Sequence, residues 1–213
     1  MSLPRSAGSN ALTASAWPTR WARGESRPSR SSPKATPERL IDTALLLMRD
    51  RPCDRLSVRE IATGAEASTT SIYTLFGSRE NLIAAVRTRA CVELGEVLGA
   101  VPATRDPVED LLAIAAEYRR WALANRHRYA SIFGGGVSYV PHGAPRDGDP
   151  AAALVDVVNR AHGPEYRIED ANRTAVAIWA ALHGFITFET DGTLHGSYID
   201  TVVPHAIRSL LAG

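Results

Sequence analysis

Ser68, Thr69, Thr70 and Ser71 stand in succession, Tyr73 and Thr74 follow within one helical turn, and no charged side chain interrupts them before Phe76. Short hydroxyls both donate and accept at close range. On a helix they suit the edges of base pairs in a major groove, with a tyrosine hydroxyl reaching for phosphate. Such a helix needs an apolar side to hold it, and Ile72, Leu75 and Phe76 are expected to supply it by packing inward. Ser68 is placed as its N-cap. Upstream, Ser57 and Glu60 have the spacing of a capping box, and Leu56 and Ile61 bracket them as a hydrophobic staple. Two short helices joined by a tight turn follow from these signals, which is the helix-turn-helix arrangement.

Around that core the chain is predicted to be helical throughout. Thr36 and Pro37 open a first helix whose Leu40, Ile41, Ala44, Leu45 and Met48 share a face, and Pro52 is expected to close it. A long helix from Ser78 towards Leu98 serves as a connecting rod. Asp106-Pro107 and Asp149-Pro150 start further helices, with a short one from Arg126 to Phe133 between them, and long apolar-faced helices run from Glu169 to Glu189 and from Tyr198 to Leu211. The expected fold is all-α, with about nine helices and no strand. It divides into a basic tail (1–35), a three-helix DNA-binding domain (36–82) and a second helical domain (83–213).

The segment TPERLIDTALLLMRDRPCDRLSVREIATGAEASTTSIYTLFGSRENL, Thr36 to Leu82, resembles the N-terminal domain of the tetracycline-repressor (TetR) family. The likeness rests on Leu56-Ser57-Val58 before Ile61-Ala62, Ser68 at the start of the recognition helix, Ile72-Tyr73 followed by Phe76, and Gly77-Ser78-Arg79-Glu80-Asn81-Leu82. It implies a homodimeric transcriptional regulator on a double-stranded DNA operator, a repressor released by a small-molecule effector. Ser57, Ser68, Thr69, Thr70, Ser71, Tyr73, Thr74 and Arg79 are the DNA-binding candidates. The dimer is implied to form through the last two helices. Glu66 stands where the family usually has glycine, so the turn is expected to be locally rearranged. Thr74 and Leu75 replace a pair that is commonly His or aromatic.

Tyr118 to Phe133, YRRWALANRHRYASIF, together with Ile178 to Phe185, IWAALHGF, is similar to the Trp-His-Gly subclass of the same family. Arg126 takes the place of a proline there and puts the helix break before it in question. Tyr118, Trp121, Phe133, Trp179 and His183 are the ligand-binding candidates, offering aromatic walls with a few polar tips. Trp179 and His183, four residues apart, share a helix face, and a packed tryptophan with a satisfied core histidine is the competing reading.

Composition narrows the remaining classes. The 213 residues are 45% hydrophobic and 22% charged with a formal net charge of +1, an ordinary balance for a globular chain. No apolar run reaches the roughly 20 residues of a membrane span, so a cytoplasmic protein without membrane contact is expected. Cys53 and Cys91 lack metal-ligand spacing and the six histidines form no zinc pair, so neither metal nor cofactor is expected. Gly134-Gly135-Gly136 has no following Lys-Ser/Thr and reads as a loop, the start of a mobile connection running to Asp149. The tail holds Arg5, Arg20, Arg23, Arg27, Arg30 and Lys34 against Glu25, which fits either a disordered arm along DNA or a passive extension. An enzyme built on His183 with Glu189 or Glu117 would lack an activated nucleophile. An architectural or partner-dependent DNA-binding protein without a ligand is the other alternative.

Overall fold

The computed structural model describes residues 35–133, 149–163, 165 and 167–212, so residues 1–34 of the basic tail and the glycine run lie outside the described residues. Within these bounds the chain forms nine α-helices and one 3-10 turn, without strands: α1 (Pro37–Leu47), the 3-10 turn (Cys53–Arg55), α2 (Val58–Gly64), α3 (Thr69–Phe76), α4 (Arg79–Gly99), α5 (Pro107–Ala124), α6 (Arg126–Phe133), α7 (Pro150–His162), α8 (Ile168–Thr190) and α9 (Gly196–Ala212). Side-chain caps start most of them. Thr36 accepts from the Arg39 N–H, Ser68 from Ser71, Ser78 from Asn81, Asp106 from Val108 and Glu109, and Asp149 from Ala151. The capping box between Ser57 and Glu60 is complete in both directions. Each cap contributes about 1 kcal/mol to starting its helix.

Helix α1 ends at Leu47, with Met48 as its C-cap, so it stops short of the expected Pro52. Met48 is buried, and the chain turns there to bring Cys53 and Leu56 into the same core as Leu40, Ala44, Ile61 and Ile72. At Asn125 the backbone leaves helical geometry (φ −124°, ψ 43°), so the break between α5 and α6 persists with Arg126 in place of proline.

Helix α4 carries Leu82, Val86, Ala90, Leu94 and Leu98, all buried, at a strict spacing of four. Because each residue advances the helix by about 100°, that spacing moves the stripe by about 40° per step. The rod therefore presents its apolar side to α1 and α3 at one end and to α5 and α7 further along. One further clasp joins it to its surroundings. Arg128, on α6, donates through Nε and Nη2 to the Leu45 carbonyl in the last turn of α1 (3.3 and 3.0 Å) and through Nη1 to Glu93 on α4 (3.0 Å). A guanidinium there satisfies a helix-end carbonyl and complements the negative end of the α1 dipole.

Candidate functional site

Helix α3 is held by Ile72, which is fully buried, and by the half-buried Phe76. Leu75 departs from expectation: it is 41% exposed. At about 100° per residue it sits at the margin of the arc that Ile72 and Phe76 define. The outward arc holds Thr69, Thr70, Tyr73 and Thr74, all exposed, with Ser71 half-buried at its flank. The Thr74 hydroxyl donates back to the Thr70 carbonyl (2.9 Å), and the Ser68 and Ser71 hydroxyls lie 2.8 Å apart while Ser68 caps the helix. Ser57 is engaged with Glu60, donating to its carboxylate (2.7 Å) and accepting its N–H (3.2 Å). That ring of bonds, with Arg51 beside it, holds the Glu60 carboxyl down at about 2.

Arg79 points into the protein. Its Nη2 donates to the carbonyls of Asp54 (2.9 Å) and Leu56 (3.1 Å), tying the start of α4 to the segment that leads into α2. These bonds hold the Arg79 guanidinium against the segment before α2, beside the exposed hydroxyl face of α3. Arg55 and Arg59 are exposed on the turn and on α2. Sequence reading passed over them because isolated arginines beside a cap carry no distinguishing pattern. The turn takes the left-handed conformation at Glu66 itself (φ 50°), so no rearrangement spares the residue that strain. Glu66 accepts a hydrogen bond from Arg39 across the turn at 2.9 Å.

In the rest of the chain, Tyr118, Phe133, Trp179 and His183 come together around a residue that was not singled out, Tyr129. The Trp179 indole N–H donates to the Tyr118 hydroxyl (2.9 Å), Tyr118 donates to Tyr129 (3.4 Å), and Tyr129 lies 2.5 Å from His183 Nδ1. The relay runs in one direction, so Tyr129 donates to an unprotonated Nδ1. Burial pushes the His183 pKa below its usual value, in keeping with the neutral ring, and pushes the Tyr118 hydroxyl up to about 12 and that of Tyr129 higher still. Phe133 packs against His183 (4.4 Å between ring centroids), Tyr129 (5.0 Å) and Trp179 (5.8 Å). Rings and polar tips thus contact one another, and Trp121 is buried on α5 three residues beyond Tyr118. The signal for Tyr129 was its spacing of four from Phe133.

The carboxylates considered for an enzyme are engaged elsewhere. Glu117 pairs with Arg120, while Glu189 receives two hydrogen bonds from Arg119, at 2.6 and 2.5 Å.

Comparison with known proteins joins the two halves. Residues 40–86 match the family model for bacterial regulatory proteins of the tetR family, and residues 111–210 match that for a tetracyclin repressor-like C-terminal domain. An uncharacterized HTH-type transcriptional regulator of Mycobacterium tuberculosis is 30% identical, with 84% of this chain and 82% of that protein covered. The chain belongs to the TetR family. It is a transcriptional regulator with a helix-turn-helix DNA-binding domain and not an enzyme. Among solved structures, a Rhodococcus protein of unknown function superposes with a TM-score of 0.65 at 25% identity, over 86% of this chain and 98% of that one. A TetR variant from Acinetobacter baumannii in complex with minocycline shares the TetR fold, with a TM-score of 0.60 at 18% identity over 84% and 96% of the two chains. No helix among the described residues is long and apolar enough to cross a membrane.

Proposed function

We propose that this TetR-family regulator is a cytoplasmic homodimeric repressor that reads a pseudo-palindromic operator with α3 and leaves it when a small molecule binds its C-terminal half. The observation that carries the DNA half is the exposed, uncharged face of Thr69, Thr70, Tyr73 and Thr74 on a helix anchored by Ile72. Ser57 and Ser68 set the two helices at their starts, Ser71 flanks the reading face, and the exposed Arg55 and Arg59 are suited to phosphate. The head extends over 36–82, the ligand and dimer half over 83–213, with the boundary inside α4. One recognition helix covers too few base pairs for specificity. Two, held about 34–36 Å apart, span successive major grooves.

Helices α8 and α9 suit the pairing of two copies. Ala177, Ala181, Gly184 and Phe188 recur on one side of α8. A Cβ added at Gly184 would meet nothing, while Phe188 and, on α9, Tyr198 stand 48% and 56% exposed. Small residues let two backbones approach, and the exposed rings supply apolar area. Trp179 and His183, on the opposite side of α8, fit the Trp-His-Gly subclass as a built interior cluster. The effector half of the proposal draws on α6, whose Tyr129 and Phe133 face that cluster while the adjacent Arg128 holds α1 and α4. A ligand that shifts α6 would act on the head by preferring one of two arrangements.

Selection of bound sequences from a random DNA pool tests the operator reading. The expected product is an inverted repeat with half-site centres one helical turn, or a multiple of it, apart. A pool that stays unenriched with folded protein would overturn it.

A further inference from the structure

Between α5, α8 and α9 lies a half-open cavity of about 170 Å³, on the flank of α5 turned away from the Tyr118 cluster. Leu112, Leu182, Ile186, Ile199 and Val203 form its walls. Its mouth lies among Ala116, Asp200 and Pro204, of which Ala116 and Asp200 are exposed. Residues 200 and 204 fall on the side of α9 roughly opposite Tyr198, so the mouth is separate from the proposed dimer face.

Two features make this more than a packing gap. Pro204 sits inside α9 and has no N–H, which removes the donor that the Asp200 carbonyl would receive from the residue four further on. Asp200 lines the cavity, and its carbonyl lacks that intrahelical donor. The polar rim is also built: Arg119 donates to Glu189 and, through Nη1, to Asp200 Oδ1 at 2.7 Å. Gly196 leaves the space this needs, since a Cβ there would stand 2.6 Å from Arg119 Nη2 and 2.9 Å from Glu189 Oε1.

Volume decides the class of occupant. Drug-sized ligands take pockets of about 300–1,000 Å³, whereas a dry aliphatic cavity of about 150 Å³ holds one benzene ring. We propose that the α5–α8–α9 cavity binds a single-ring apolar molecule bearing one hydrogen-bond donor, a phenol in chemical class, with the ring among Leu112, Leu182 and Val203 and the donor on the Asp200 carbonyl. The proposal deepens the effector half of the reading above, on which it rests, and gives it a site distinct from the aromatic cluster.

The test uses the full-length chain without DNA, with phenol, anisole and benzene as probes followed by methyl-resolved NMR and calorimetry. Phenol should bind saturably, shift the methyl signals of Leu182, Ile199 and Val203, and bind about fivefold more tightly than anisole, the value of one hydrogen bond of about 1 kcal/mol. Ala116→Phe, at an exposed position, should weaken phenol at least tenfold with Tm unchanged. Pro204→Ala returns an N–H to the Asp200 carbonyl, and it should erase the preference for phenol over anisole while benzene binding persists. Absence of saturable phenol binding, shifts centred on Tyr129 and His183, or wild-type affinity in both variants would overturn the proposal. In a parallel titration of the selected operator with and without phenol, saturable binding that leaves operator affinity unchanged would support the site and overturn its effector role, and failure of phenol to bind leaves the operator reading intact.

Discussion

Tyr73 and Tyr118 are the same side chain put to opposite uses. On α3 the ring stands 53% exposed beside threonine hydroxyls that face water, whereas on α5 it is 1% exposed, with its hydroxyl held between an indole and a second phenol. A reading surface must leave its polar groups available to a partner. A core must satisfy them internally, because a buried unpaired donor costs about 1–3 kcal/mol. Residue type therefore says little about role until direction and burial are known.

The largest effect expected on either side of that contrast is from Thr70→Glu. A carboxylate placed against phosphate on the outward face should cost several kcal/mol, about 3 or more, and reduce operator affinity over 100-fold while circular dichroism and Tm stay unchanged. Normal binding by the folded variant would remove α3 from the groove. His183→Ala strikes the interior: it leaves the Tyr129 hydroxyl without its acceptor and takes a ring from against Phe133, for an expected loss of about 2–3 kcal/mol. Because the folded pKa of His183 lies below the ordinary 6.5, the neutral form is the stabilised one. Its contribution is full above 6.5 and is lost as pH falls through the folded value. Thermal melts of wild type should show that acid limb, and those of the alanine variant should lose it.

One identical substitution then sharpens the comparison. Tyr118→Phe deprives the Trp179 N–H of its acceptor and should lower stability by about 1–2 kcal/mol, roughly 3–6 °C in Tm, with operator affinity preserved. Tyr73→Phe should do the reverse, weakening the operator about fivefold, near 1 kcal/mol, at constant Tm. A shared outcome would mean that exposure does not separate the two roles. Smaller again is Glu66→Gly. Relief of the left-handed residue should outweigh the exposed Arg39 pair and raise Tm by an amount worth up to about 1 kcal/mol. The last effect concerns a slope. The Glu60 carboxyl titrates near 2 instead of 4.5, so its support for α2 is complete above 4.5 and fades as pH falls towards 2. Glu60→Gln should flatten that part of an acid titration followed by helix signal.

How legible each region was follows from the range of its interactions. Caps act over two or three residues, so Thr36, Ser57, Ser68, Ser78, Asp106 and Asp149 could be read directly from neighbours, and with them the starts of six helices. The bond between Trp179 and Tyr118 spans 61 positions and that between Arg128 and Leu45 spans 83, distances over which no local pattern operates. Leu75 was misplaced for a related reason. Hydrophobicity marks a residue as fit for burial, but on a helix of eight residues only the neighbouring helices decide which apolar positions are covered. Arg79 shows the complement, since a basic residue next to a recognition helix resembles a phosphate ligand until its guanidinium is found on the carbonyls of Asp54 and Leu56.

Arg128 also bears on how the protein comes apart. Its guanidinium closes the end of α1 and grips Glu93 on α4, and α4 itself runs without interruption from the DNA-reading end into the second half. Opening the head alone would take the Leu45 carbonyl away from that cation and uncover the Leu82 and Val86 end of the buried stripe. The head therefore lacks a low-energy route to unfold by itself. Scanning calorimetry should record a single endotherm over residues 36–212 whose van 't Hoff and calorimetric enthalpies agree per cooperative unit, and the amide protons of α1 should exchange at the same rate as those of α6.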